Sequence, residues 1–128
     1  MIEFPHPDWF ARFSAELESD EDFRQHGRWF TATVCIRVDR TASCLRIDRG
    51  LVLSVTPGAG SHDLLISGSY AQWRVLFDTD WALNRLYRSG TLTIRGSDVE
   101  VMRNWKPLFH LCQTIKRLGH ALPVAQNA

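Results

Sequence analysis

No run of apolar residues in this sequence approaches the roughly 18 that a transmembrane helix needs, so no stable membrane insertion is expected. The opening MIEFPHPDWF is acidic and broken by proline, which is not the pattern of a secretory signal. Cysteine is sparse. Cys35, Cys44 and Cys112 have neither metal nor redox spacing, and they read as reduced, buried small hydrophobes in a cytoplasmic protein. A charge excess of one sign is also lacking, because the net charge of +1 names no polyanionic partner. The loop PGAGSH at 57–62 has no Gly-Lys-Ser/Thr tail and no helix after it, so it is not a phosphate cradle. His6, His26 and His120 form no H-x-x-x-H spacing. Neither a metal nor a cofactor is expected. Internal repeats and low-complexity segments are absent.

Aromatic residues are abundant, with five Trp and seven Phe in 128 residues, and that length suits one domain with a real core. The charge is uneven along the chain. Residues 1–27 carry seven acids and two bases, and the remainder carries thirteen bases and seven acids. A solvated acidic helix on a mildly basic body accounts for this.

The hydrophobic period changes along the chain. Trp9, Phe10, Phe13 and Leu17 recur at helical spacing within 8–23, after Pro7 and before Gly27, so residues 1–27 are expected to form an N-terminal helix. From Phe30 the pattern alternates: Phe30, Ala32, Val34, Ile36 and Val38 share one face. CLRID and LVLSVT follow, separated by the turns RTAS and Arg49-Gly50, and three strands with short connections predict an antiparallel meander. DLLISG at 63–68 is a fourth strand. Residues 69–77 and 78–90 are helical in pattern, the second expected to be capped by Thr79 or Asp78 and stopped by Gly90. TLTIRG at 91–96 is a fifth strand. The final segment, 97–118, puts Val101, Met102, Trp105, Leu108, Phe109, Cys112 and Ile115 on one broad stripe, with Pro107 expected to bend or divide it. Residues 119–128 are expected to be a flexible tail. The fold class is α+β: a five-stranded, mainly antiparallel sheet with helices packed on one face.

Two stretches carry a family resemblance. HDLLISGSYAQWRVLF is a strand, a glycine just past it, and a helix opening around Trp73. RSGTLTIRGSDVEVM is a helix end at Gly90, then Gly-x-Leu-x-Ile-x-Gly, then an amphipathic helix. With their order along residues 28–112 they resemble the sterol carrier protein type-2-like family. The resemblance implies a non-enzymatic scaffold whose sheet and helices enclose an apolar tunnel for fatty acyl chains, sterols or related lipids. The chain departs from that pattern in its proline-interrupted last helix. Its last residues, Gln126-Asn127-Ala128, are not a peroxisomal tripeptide.

The residues themselves suggest where such a ligand would sit. Met102, Trp105, Phe109 and Cys112 are expected to form one bulky, adaptable wall, and Trp73, Phe77 and Trp81 the opposite one. Within the last helix, the Met102–Trp105–Phe109 line is expected to face that space while Val101, Leu108 and Ile115 seal against the sheet.

Catalytic alternatives have bland explanations. His110 and Cys112 lie two apart, on different faces of a helix. His62-Asp63, near Ser61 and Ser67, reads as a solvated turn. Asp78 and Asp80 around Thr79 read as helix capping. Arg37, Arg46 and Arg95 with Arg40 and Arg49 build a basic sheet face, but the stacking aromatics of a nucleic-acid surface are missing and Asp39 and Asp48 interrupt it. No nucleic-acid partner is expected. Two functions remain: a carrier for a hydrophobic small molecule, presenting it to a partner enzyme, or an accessory subunit that docks through the same fold without a ligand.

Overall fold

A computed structural model describes residues 1–123. The chain opens with β1 (Ile2–Glu3), α1 (Pro7–Glu18) and α2 (Glu21–His26), then runs through β2 (Ala32–Val38), β3 (Thr41–Asp48), β4 (Leu51–Pro57) and β5 (Leu64–Gly68). α3 (Tyr70–Asp78), α4 (Leu83–Arg88), β6 (Thr93–Arg95), α5 (Asp98–Arg103), α6 (Trp105–Leu118) and β7 (Ala121–Leu122) complete it. The main sheet has the order β4-β3-β2-β5-β6. All its neighbours are antiparallel except β2 and β5. This is the expected five-stranded α+β sheet, with Ile94 in a strand and Leu92 buried just before it.

The parallel pair forces the chain to cross the sheet. β4 ends level with Ser43, and β5 begins level with Val34, beyond β3 and β2. Residues 58–63, the PGAGSH loop without Pro57 and with Asp63, form the strap that makes this crossing. The Gly58 amide donates to the Ala42 carbonyl at 2.7 Å, and the Asp63 amide donates to the Thr33 carbonyl at 2.9 Å. The strap region covers the pair Cys35 and Cys44, which face each other across β2 and β3 and are joined as a disulfide. The expectation of three reduced cysteines is therefore corrected. Directly opposed antiparallel residues bring two thiols within bonding reach, a placement that spacing alone did not reveal. Only Cys112 is a free thiol among the described residues, and it is buried.

Strand alternation sorts the sheet into two faces. Val34, Ile36, Val38, Leu45, Ile47, Leu64 and Ile66 point to the helices and are buried with Trp9, Phe10, Phe13, Leu17, Trp73, Leu76, Leu86, Leu108, Leu111 and Ile115. Gly68 shows why the DLLISG stretch ends in glycine: a Cβ there would stand 2.7 Å from Leu92 Cδ2. The Arg49-Gly50 hairpin turn has φ of +49° and +79°, the doubly left-handed form that tight hairpins favour.

Several boundaries differ from expectation. The N-terminal helix is two helices, because Asp20 caps a new one by accepting the Phe23 amide at 3.1 Å. Thr79 closes α3 instead of opening α4: its hydroxyl donates to the Val75 carbonyl at 2.7 Å, and α4 starts only at Leu83. The last segment is divided, but at Asn104. Pro107 lies in the first turn of α6, where no intrahelical donor is lost. Part of the expected tail is a strand: Ile2 and Glu3 of β1 pair with Leu122 and Ala121 of β7. Residues 124–128 of that tail lie outside the described residues.

Candidate functional site

The seven aromatic, Met and Cys positions expected to line a ligand space fall into two groups. Trp73 and Phe77, on the inner side of α3, meet the N-terminal segment. Phe4 sends its ring to 5.6 Å from Trp73, 5.1 Å from Phe77 and 4.8 Å from Trp9, centroid to centroid. Trp73 is fully buried, and its indole N–H donates to the Arg37 carbonyl at 2.9 Å. Phe77 is half-buried and lies 5.7 Å from the His120 ring. The interior beside α3 is thus filled by Phe4, a residue that sequence reasoning missed. Its position before Pro5, outside any periodic run, gave no signal.

The second group is on the α4–α5–α6 surface. Trp105 is half-buried, and its indole N–H donates to Asn84 Oδ1 at 2.9 Å. The Tyr87 ring lies 5.4 Å away. Asn84, Tyr87, Arg88, Met102 and Trp105 line a cleft of about 250 Å³ that opens to solvent. Met102 is 72% exposed, not part of an inner wall. The reason is the break at Asn104, where ψ is 20° and the side-chain amide donates to the Glu100 carbonyl at 2.9 Å. That break resets the helical phase between α5 and α6, so Met102 does not continue the line that Trp105 and Phe109 form within α6. Val101, Leu108 and Ile115 are buried as expected.

The remaining positions are intermediate. Phe109 and Trp81 are half-buried, and the Arg85 guanidinium sits 4.0 Å from the Trp81 ring centroid. Lys116 of α6 donates to the Thr79 and Trp81 carbonyls, tying α6 to the link before α4. Cys112 is fully buried in the core. Desolvation pushes its thiol up to about 12, so it carries no thiolate at neutral pH.

The catalytic alternatives do not assemble. The His110 ring stacks on His26 at 4.5 Å, with Cys112 in the core instead of beside it. Partial burial first, and His26 second, lower the His110 pKa. The Asp63 carboxylate accepts the Thr33 amide at 2.8 Å and makes no dyad with His62. Asp78 is held by the Arg74 fork at 3.1 Å. Among the described residues no group of three or more His, Cys, Asp or Glu is placed to hold a metal ion. No helix among them is long and apolar enough to cross a membrane.

The order of the strands, their single parallel pair and the helices on one face can be compared with solved structures. The crystal structure of sterol carrier protein 2 superposes with a TM-score of 0.80 at 13% identity, covering 89% of this chain and 98% of that one. The chain has the sterol carrier protein 2 fold. The UbiJ-SCP2 ubiquinone synthesis protein matches with a TM-score of 0.57 at 22% identity, over 83% of this chain and 94% of that one. The solution structure of palmitated SCP2L2 from Aedes aegypti matches with a TM-score of 0.55 at 12% identity, over 79% and 90%. No family model and no curated protein sequence matches the chain. The likeness to these structures is thus one of fold, at sequence identities of 12–22%.

Proposed function

We propose that this chain is a non-enzymatic binding and carrier module for a hydrophobic small molecule of the fatty acyl or sterol class. The observation that carries the reading is the cleft between α4 and α5. An indole pinned by Asn84, a phenol ring and an exposed Met side chain meet there with only Arg88 and Asn84 as polar neighbours. Thioether and aromatic groups give large, adaptable apolar contact without fixing a headgroup, which suits a ligand of irregular shape. In this reading Met102 and Trp105 meet the ligand, with Tyr87 beside them. Phe109, Trp81, Phe77, Trp73 and Cys112 do not line this cleft; they take part only if the ligand opens a way inward past the packed interior. The palmitated relative supports the ligand class through the fold it shares. Catalysis has no part in the proposal.

A second reading is favoured by the filled interior around Phe4: an accessory subunit that docks on a partner enzyme without cargo. The UbiJ-SCP2 ubiquinone synthesis protein, which shares this fold, is the precedent for that reading in a biosynthetic setting. Native mass spectrometry of gently purified protein separates the two, since a carrier shows a co-purified apolar molecule. Titration with a fluorescent fatty acid and a sterol analogue provides the direct test. Met102→Asp is expected to weaken binding at least tenfold with the melting temperature nearly unchanged, and Trp105→Ala to weaken it at least as much with a loss of stability of its own, since that indole packs on the core and bonds Asn84. A folded protein that binds neither probe overturns the carrier reading. A cytoplasmic location also belongs to this proposal. It requires the Cys35–Cys44 bond to resist glutathione, which a free-thiol count on protein from cytoplasm checks.

A further inference from the structure

The helix-free face of the sheet has a surface character that the cargo reading does not use. Alternation places Arg37 of β2, Arg46 of β3 and Arg95 of β6 on it, with Arg40 in the β2–β3 turn. All four are exposed, and none has a carboxylate within ion-pair distance among the described residues. The acids of this side are already committed. Asp63 accepts the Thr33 amide, Asp39 accepts the Tyr70 amide at 3.2 Å, and Asp48 takes the Thr31 hydroxyl at 3.0 Å and lies 3.7 Å from Arg49.

The 58–63 strap crosses this face over Cys35 and Cys44, with Arg37 and Arg40 at one end; at the other end, beside Arg46 and Arg49, stand exposed large apolar side chains. Leu51 opposes Asp48, so it points to the same face, and it is 48% exposed. Leu53 falls in the bulge where the β3–β4 register shifts, between Val52 opposite Ile47 and Ser54 opposite Arg46. A bulge re-aims its extra residue. Val52 is buried on the inner side, and Leu53, without a partner in the register, is 56% exposed on the edge strand. Trp29 is 81% exposed at the same end of the sheet, next to the Arg49-Gly50 turn, whose Gly50 amide donates to the Phe30 carbonyl. Arg28 lies 5.8 Å from the Trp29 ring. An adjoining cleft of about 420 Å³ is lined by Arg24, Arg28, Arg49 and Leu51, together with Gln25 and Glu21.

We propose that this face docks on an anionic lipid surface. Trp29, Leu51 and Leu53 enter the interfacial zone and the arginines lie over lipid phosphates. The chemistry matches on both counts. Indole and leucine side chains favour the boundary between headgroups and acyl chains, and guanidinium groups without a carboxylate partner, one of them (Arg37) also donating to the Asp39 carbonyl at 3.2 Å, can pair with phosphate in a planar, two-pronged geometry. The unspent positive charge complements an anionic leaflet. The docking proposed is peripheral; no helix among the described residues is long and apolar enough to span. It stands apart from the cargo reading, because its readout is attachment to vesicles, not uptake of a ligand.

The test is co-sedimentation of the full chain, at physiological ionic strength, with vesicles of phosphatidylcholine alone or mixed with phosphatidylglycerol. The protein is expected to bind the mixed vesicles, with a blue shift of Trp29 emission that disappears in Trp29→Ala. Arg37→Gln/Arg46→Gln/Arg95→Gln should weaken binding roughly a hundredfold, the product of three factors of roughly five for a charge near an anionic surface. Leu51→Ser/Leu53→Ser should weaken it at least tenfold. All of these positions are exposed, so the near-ultraviolet circular dichroism should not change. Failure of the wild-type chain to bind mixed vesicles overturns the proposal, as does binding that the two multiple variants leave intact. It is equally overturned if a second copy covers Leu51 and Leu53, read as a dimer that the leucine variant dissociates while vesicles stay unbound.

Discussion

Phe4→Ala asks how much of this fold depends on the residue that fills its interior. Phe4 is 2% exposed and meets Trp9, Phe10, Trp73 and Phe77 at centroid distances of 4.8 to 5.8 Å. Truncating a buried ring removes its transfer free energy and leaves a cavity, which together cost about 3–5 kcal/mol. The edge-on contacts with its neighbours belong to that sum and place it toward the upper part. The backbone around it is held by the two residue pairs of β1 and β7 and by the Phe4 amide donating to the His120 carbonyl at 2.8 Å, so little local structure offsets the loss. For a domain of this size a loss of that magnitude lowers Tm by about 10–20 °C. The assay is thermal and urea unfolding of both proteins, with equal m values required before the difference is taken as stability. Palmitate then gives a second reading. At about 100 times its Kd a ligand adds about 2.7 kcal/mol, and if the acyl chain enters the space Phe4 leaves, the variant gains more than the wild type does. A loss below about 1 kcal/mol would refute the reasoning, because it would mean that the N-terminal segment does not pack into the interior.

Other outcomes follow from single contacts. Asp20 caps α2, accepts the Thr114 hydroxyl at 2.6 Å and pairs with Arg117 at 3.1 Å. Burial alone would raise its carboxyl, but the Thr114 and Phe23 hydrogen bonds and Arg117 hold it below the ordinary value. Asp20→Ala should therefore cost about 2–4 kcal/mol at neutral pH, from the lost cap and a charge-assisted hydrogen bond. A depressed folded pKa means that this difference is full above the ordinary carboxylate range and fades as pH falls through the lowered value; melting curves across acid pH check it. Cys35→Ala/Cys44→Ala, or a strong dithiol reductant, should lower stability by about 2–3 kcal/mol, as loss of a short cross-link does, read by urea unfolding. Cys112 should react with an aromatic disulfide reagent at pH 8 only after denaturation, because its buried thiol titrates near 12. Fast labelling of the native protein would show that α6 opens.

The sequence by itself determined the order of elements and the sheet's inner face. Those follow from local rules: Phe30 to Val38 alternate, Trp9 to Leu17 recur at helical spacing, and Arg49-Gly50 can form a left-handed hairpin turn. The two glycine-bounded stretches around residues 68 and 90–96 were enough to suggest the fold, because one glycine there answers a close approach by Leu92. The wall residues were legible as a set but not in their depths. Periodicity assumes a continuous helix, and the turn at Asn104 moved Met102 out to solvent while leaving Cys112 in the core. Only the tertiary structure decided that Cys35 meets Cys44, that β7 returns to pair with β1, and that Phe4 occupies the space beside Trp73 and Phe77. Each of these joins residues from separate elements or from opposite ends of the chain. Cys35 and Cys44 are nine residues apart, but their meeting depends on the register of the β2–β3 pair, which the alternation does not set. The other two contacts are fixed by the crossing of the 58–63 strap and the docking of α1, and no pattern within a window of ten or fifteen residues contains them.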